Sequence, residues 1–144
     1  MFLVTSFTQL TSTSYGVLGK GFLTGQIKSA SDIPENDYRH LFPRFHPENF
    51  DSNLKLVEGI NKIAEQKGCT SGQIAVSWLL ALSKRPGMPK FIPIPGASKA
   101  ERVRENAKVV ELTDQDMDEI DALLAKCEVK GDRYPAFTMK YLEG

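Results

Sequence analysis

The chain has 144 residues, with 18 Lys+Arg set against 18 Asp+Glu, so its formal net charge is zero. That length supports one domain with a buried core. The charge balance excludes the broad basic surface that recruits nucleic acid or an anionic membrane, but not a local phosphate site, which needs only a few cations and backbone N–H groups.

A hydrophobic fraction of 41% and a charged fraction of 25% are ordinary for a soluble globular protein and argue against a disordered or a membrane protein. The longest apolar runs stop well short of the ~20 residues of a membrane helix. The first residues lack a basic n-region and a small-residue cleavage site, so no signal peptide is expected and the default location is cytoplasmic. Cys69 and Cys127 form no CxxC pair and have no His at metal-ligand spacing. They are expected to be free thiols in a reducing compartment, and no metal site is expected.

In chain order, residues 1–14 are rich in Ser and Thr, and Phe2, Val4 and Phe7 give only fragments of a strand pattern. Residues 15–25, YGVLGKGFLTG, form a glycine-rich loop. Residues 26–50 are irregular, broken by Pro34, Pro43 and Pro47; a loop of that length inside a compact domain is more often functional than accidental. A helix is predicted over residues 50–67, with Val57, Ile60, Ile63 and Ala64 on its apolar face and Gly68 at its stop. A second opens at Thr70, where Gln73 completes a capping box, and buries Ile74, Ala75, Trp78, Leu79 and Leu82. Residues 91–96, FIPIPG, read as one strand. Its prolines cannot donate to a ladder, so the strand suits a barrel rim. Ser98 and Glu101 make a further capping box before Val103, Ala107 and Val110, and Thr113 with Asp116 opens a fourth helix lined by Met117, Ile120, Leu124 and Cys127. The tail from Lys130 shows no clear periodicity. So few strands cannot close a sheet.

Residues 92–106, IPIPGASKAERVREN, carry the most chemistry. A strand ends at Pro95 and a helix begins near Ser98, and the first turn of a helix presents N–H groups and partial positive charge to an anion. Gly96 permits close backbone approach. Ser98 supplies a hydroxyl, and Lys99 and Arg102 supply charge; a guanidinium suits either a phosphate or an adenine face. Glu105 and Asn106, one turn on, suit an exocyclic amine or a ring nitrogen. The plainer alternatives are that Ser98 and Glu101 simply cap a helix and that Arg102 and Glu105 form a solvated i, i+3 pair.

PIPGASKAERVREN resembles the cofactor segment of the aldo-keto reductases. The resemblance implies that Gly96, Ala97, Ser98 and Arg102, with Lys99 as a further candidate, grip the adenosine 2′-phosphate of NADP(H), and that Glu105 and Asn106 contact the adenine. YGVLGKGFLTG is similar to the Tyr-Ser-Pro-Leu-Gly-x-Gly-x-Leu-Thr-Gly loop after the family's seventh strand. That likeness implies nicotinamide stacking on Tyr15 and pyrophosphate contact at Gly16, Leu18, Gly19 and Lys20. Gly16 and Val17 replace the usual Ser and Pro, which removes a hydroxyl and loosens the loop. The run is neither a dinucleotide fingerprint, because Gly25 comes one place late, nor a Walker loop, because Gly21 follows Lys20. RHLFPRFHPENF resembles the family's "PRF" loop and implies that Arg44 folds over the cofactor. His40 and His46 have no partner at useful spacing and are expected to play no catalytic part, and Trp78 is expected in the core. The closing GDRYPAFTMKYLEG is similar to tails of the fungal, pyridoxal reductase-like branch.

The expected fold is therefore α/β: the C-terminal part of a (β/α)8 TIM barrel, incomplete and helix-rich, over residues 15–144, with residues 1–14 as an atypical N-terminal segment. A whole barrel of this kind runs to about 250 residues. The family's catalytic Asp, Tyr, Lys and His belong to earlier strands, and no motif here matches them, so no catalytic residue is assigned. MFLVTSFTQLTSTS stands where the family has a compact apolar strand, a pattern that an alternative start, a truncated gene model or a spliced isoform produces. Unpaired strand edges are expected to favour association with another chain. The implied function is NADP-dependent reduction of a small carbonyl substrate, such as pyridoxal or an aryl aldehyde, with little turnover by this chain alone. The alternative is a non-catalytic nucleotide-binding or interaction module that joins a full-length reductase.

Overall fold

The structure is a computed structural model that describes residues 10–139 and Tyr141. The strand fragments around Phe2, Val4 and Phe7 lie outside the described residues. The elements are β1 (Thr11–Tyr15), α1 (Pro47–Gln66), α2 (Ser71–Leu82), β2 (Lys90–Ile94), α3 (Ala100–Asn106), α4 (Asp114–Lys126) and the single turn α5 (Ala136–Met139). Four short 3-10 turns, Gly19–Thr24, Ala30–Asp32, Tyr38–Leu41 and Pro43–Phe45, fill the stretch between β1 and α1.

β1 is absent from the sequence reading, which places Tyr15 at the start of a loop; Tyr15 is instead the last residue of a strand. TSTSY has a single large apolar side chain, so its alternation is weak. Its partner defines it: β1 pairs in parallel with β2, from Thr11 opposite Lys90 to Tyr15 opposite Ile94. Parallel neighbours need a crossover, and α1 and α2 provide it, giving one βαβ unit. Among the described residues the sheet has these two strands alone. One face, with Ser12, Ser14, Phe91 and Pro93, is half-buried. The other, with Thr11, Thr13, Tyr15, Ile92 and Ile94, is exposed. Parallel sheets are ordinarily covered on both faces.

Helix boundaries follow local chemistry. α1 begins at Pro47 rather than at residue 50 because proline sits in its first turn, where the missing N–H costs nothing. α2 and α4 start at the expected capping boxes, Thr70 with Gln73 and Thr113 with Asp116, each with both reciprocal bonds present. α3 differs. The Ser98–Glu101 box does not form; the N-cap is Lys99, in extended conformation, with no side-chain cap. The chain leaving β2 stays extended one residue longer than the local pattern implies. The resulting helix has 7 residues, so its aligned dipole is small, and any anion grip here rests on side chains and loop backbone.

Among the described residues, two cores hold the unit. Ile60, Ile63 and Ala64 of α1 meet Ile74 of α2 and Ile120 of α4, with Trp78, Leu112 and Leu123 packed against them. Gly59 leaves the space on α1 that the Leu123 side chain fills, which brings α1 and α4 close together. The second core, Ile27, Ile33, Phe45 and Phe50, lies under the long loop, and Phe22 meets Phe45 and Phe50 edge-on at centroid distances of 5.4 and 5.1 Å. The loop is thus packed down by its own aromatics.

Polar pins reinforce α4. Lys67 Nζ donates to Asp116 Oδ2 at 2.6 Å, and Arg85 Nη2 donates to Asp121 Oδ2 at 2.6 Å. The Lys67 bond, with the N–H and hydroxyl of Thr113, holds the Asp116 carboxyl below its ordinary 3.8. A depressed folded-state value means that this contribution is complete above the unfolded carboxylate range, near ~3.9, and is lost as pH falls through the folded value. Asp116→Asn is therefore expected to flatten the loss of stability below about pH 4. Urea midpoints measured across that range, with and without the substitution, check it.

Candidate functional site

Tyr15 and Ile94 end their strands side by side, so the chains leaving β1 and β2 emerge together. Between them lies a cleft of about 520 Å³. The glycine loop contributes Gly16, Leu18 and Lys20; the segment after β2 contributes Gly96, Ala97, Ser98, Arg102, Glu105 and Asn106. Two stretches some eighty residues apart, read separately in the sequence, thus form opposite walls of one cavity at the carboxyl ends of parallel strands, where α/β folds place ligands.

On the α3 wall, Arg102 Nη1 donates to Glu105 Oε2 at 2.8 Å, and Thr70 Oγ1 donates to Glu105 Oε1 at 2.8 Å. Gln73 Nε2 holds the Glu105 carbonyl at 3.1 Å. The i, i+3 pair of the plainer reading exists, but it faces the cleft and is fixed by α2. A guanidinium has five N–H donors, so this bond leaves Arg102 able to grip an anion. Asn106 Nδ2 is buried in the cleft wall with no hydrogen-bond partner among the described residues. Such an orphan donor is costly unless a ligand or water completes it.

In the glycine loop, Gly19, Lys20 and Gly21 all adopt left-handed conformation, with φ of 56°, 56° and 90°, and Lys20 and Gly21 line the opposite wall of the cleft. Lys20 is the one non-glycine residue of positive φ among those described, a strain of about 1 kcal/mol. Its ammonium is held over the rings of Phe42 and Tyr134, at 4.3 and 4.6 Å from the centroids. Burial, then Arg133, then Arg44 push its pKa down, while Tyr15 pulls it up.

Other expected residues stand apart from the main cleft. Gly19 and Arg44 line a neighbouring cavity of about 60 Å³, which shares Gly16 and Lys20 with the first. Tyr15 is half exposed, with the Arg133 guanidinium 4.7 Å from its ring centroid. Lys99 occupies the N-cap of α3 and lies outside the lining of both cavities. His40 Nε2 and His46 Nε2 donate to the carbonyls of Pro34 and His40, at 2.9 and 3.0 Å, so both brace the loop. Trp78 packs on the first core, as expected.

The sequence reading missed Arg39 and Arg133. Arg39 lines the main cleft near Gly21 and is fixed by a bidentate pair to Asp37, at 2.9 and 2.7 Å. That pair, with the Arg39 N–H, holds the Asp37 carboxyl at about 2. The available signal was the acid–arginine spacing in the same proline-bounded loop that drew attention to Arg44. Arg133 had no local signal.

A model of the Aldo/keto reductase family matches residues 9–125. The chain belongs to that family. Aldo-keto reductase yakc [NADP(+)] of Schizosaccharomyces pombe is 42% identical over 128 residues, covering 88% of this chain and 36% of the relative. Aldo-keto reductase str7 of Strobilurus tenacellus is 37% identical over 86% of this chain and 36% of its own length. The Saccharomyces cerevisiae protein named "Putative pyridoxal reductase" is 40% identical over 83% of this chain and 37% of its own length. The chain thus spans little more than a third of these relatives. The solved structure of the glycerol dehydrogenase AKR11B4 from Gluconobacter oxydans matches with a TM-score of 0.65 and 28% identity, over 82% of this chain and 35% of that one. The βαβ unit and its flanking helices are thus a helix-rich portion of the family's TIM barrel. The family match begins before Tyr15 and takes in the whole of β1.

Proposed function

We propose that the chain is the NADP(H)-gripping portion of a carbonyl reductase. The observation that carries this reading is the shared cleft: the glycine loop and the 96–106 segment, each assigned to the cofactor by resemblance, face one another across it. The orphaned Asn106 Nδ2 fits a ring nitrogen of adenine, and Arg102, already oriented by Glu105, fits the 2′-phosphate. Ser98, Gly96 and Ala97 complete the phosphate end, with Lys99 a further candidate that stands at the N-cap of α3 outside the cleft lining, and Glu105 joins Asn106 at the adenine. Gly16, Leu18, Gly19 and Lys20 take the pyrophosphate, Arg44 covers it, and Tyr15 stacks on the nicotinamide.

The bound cofactor supplies hydride. This chain's residues bind and orient it, and the family's proton-donating tetrad matches no motif here. The expected substrate class for the whole reductase is a small carbonyl compound, pyridoxal or an aryl aldehyde among them, and the expected setting is the cytoplasm.

Isothermal titration of the chain with NADPH is expected to give saturable binding, and NADPH absorbance with pyridoxal or a nitrobenzaldehyde is expected to stay constant. Failure to bind would contradict the grip. Steady NADPH consumption would contradict the assignment of no catalytic residue.

The exposed sheet face favours a second reading, a binding module that associates with another chain. Ile92 and Ile94 are 43% and 51% exposed there. A concentration-dependent mass in analytical ultracentrifugation is its signature.

A further inference from the structure

The stretch between α4 and α5 returns to the cleft, and its course is built rather than loose. Asn53, buried in α1, donates through Nδ2 to the carbonyls of Arg44 and Lys130, at 3.0 and 2.9 Å, and accepts from the Lys130 N–H at 2.7 Å. Arg44 Nε donates to the Gly131 carbonyl at 3.2 Å. Gly131, at φ +82°, fits where an added Cβ would lie 2.7 Å from the Pro43 carbonyl carbon and 2.8 Å from Asn49 Nδ2. Two residues later the chain places Arg133 against the glycine loop.

Arg133 then stands with Lys20 and Arg44 around the 60 Å³ cavity, whose floor includes Gly16 and Gly19. Its guanidinium lies 4.7 Å from the Tyr15 ring centroid and 5.6 Å from that of Tyr134, and Nη2 is 3.5 Å from the Tyr15 carbonyl. Among the described residues, none of the three cations has a carboxylate at ion-pair distance. Aromatic faces hold two of them instead. Three like charges converging on one small cavity repel one another unless an anion sits among them. The same repulsion shows in Arg44, which burial and then Arg133 push down, with Asp132 offsetting part of it.

We propose that Arg133 is a cofactor-binding residue, the third cation of an anion subsite with Lys20 and Arg44 that takes the diphosphate of the dinucleotide. This rests on the nucleotide reading above. The occupant follows from charge and continuity. Adjacent phosphoryl groups match the cluster in charge, and the cavity joins the main cleft through Gly16 and Lys20, so one extended ligand reaches both. Gly16 matters here because its φ of +66° is a left-handed conformation that an L side chain rarely adopts, and it brings the loop backbone close to the guanidinium, with Arg133 Nη2 at contact distance, 3.6 Å, from the position of a Cβ. The C-terminal segment is thereby part of the cofactor site.

The test compares NADPH with 2′-AMP, which carries the adenosine 2′-phosphate and lacks the diphosphate. Arg133 is exposed, so Arg133→Ala should melt like the unmodified chain. It is expected to weaken NADPH binding about tenfold or more and to leave 2′-AMP binding unchanged, and Arg133→Lys is expected to recover part of the loss. Unchanged NADPH binding in Arg133→Ala overturns the inference alone, as does an equal loss for both ligands, which would mark a structural role. If the unmodified chain binds neither ligand, the nucleotide reading falls and this inference with it.

Discussion

Arg102→Ala is expected to weaken NADPH binding about 10- to 100-fold while changing NADH binding less than about threefold. The two nucleotides differ only in the 2′-phosphate, so the ratio isolates the contact at issue. Two effects add. The substitution removes a charged, forked donor from the cleft wall, a loss of about 1.5–3 kcal/mol for a bond to a charged group. It also releases the Glu105 carboxylate from its guanidinium partner at 2.8 Å, leaving an unpaired negative charge near the phosphate that still accepts from the neutral Thr70 hydroxyl. Arg102→Lys should fall between the two, since it keeps the charge and loses the fork. Calorimetry with both nucleotides checks this. Equal losses for NADPH and NADH would place Arg102 on the adenine face or in a structural role, and would remove the 2′-phosphate assignment.

Asn53→Ala is expected to cost about 2–3 kcal/mol of stability, because it strands polar groups as well as removing bonds. The Asn53 side chain holds Arg44, in the loop before α1, to Lys130, beyond α4, with three hydrogen bonds. Alanine leaves the Lys130 N–H and two carbonyls without that partner in a part-buried setting. Urea denaturation reads the global loss. Amide exchange at Lys130 reads the local one and should speed up more than exchange in the middle of α1. A change within about 0.5 kcal/mol, the range of an ordinary surface substitution, would mean that water replaces the side chain at little cost.

These two residues also mark the limits of reading the sequence. Where a signal was local and the chain obeyed it, the structure was legible. Thr70 with Gln73 and Thr113 with Asp116 opened their helices as written, and the apolar face Val57, Ile60, Ile63 and Ala64 is buried. Ser98 with Glu101 has the same spacing and fails, because the strand leaving β2 dictates the backbone at Lys99. β1 was illegible for the opposite reason: TSTSY has little pattern of its own and becomes a strand by pairing with residues 90–94.

The site divides the same way. The residues of the 96–106 segment were found as a group because they share a strand-to-helix turn. That this turn faces the glycine loop is a matter of parallel register, which no local pattern encodes. Arg133 was invisible because what positions it, Asn53 and the loop around Pro43, lies far away in the chain; its own contact with Tyr15 spans 118 residues. The Gly131 requirement is equally non-local, since the atoms that exclude a side chain there belong to Pro43 and Asn49.

The central claim is that two separated segments form a single dinucleotide cleft at the ends of β1 and β2. Hydrogen–deuterium exchange with and without saturating NADPH tests it most directly. Slowed exchange in residues 16–21 and in residues 96–106 together, at one ligand concentration, is the predicted result. Protection confined to one of the two stretches, or lying elsewhere in the chain, would contradict it.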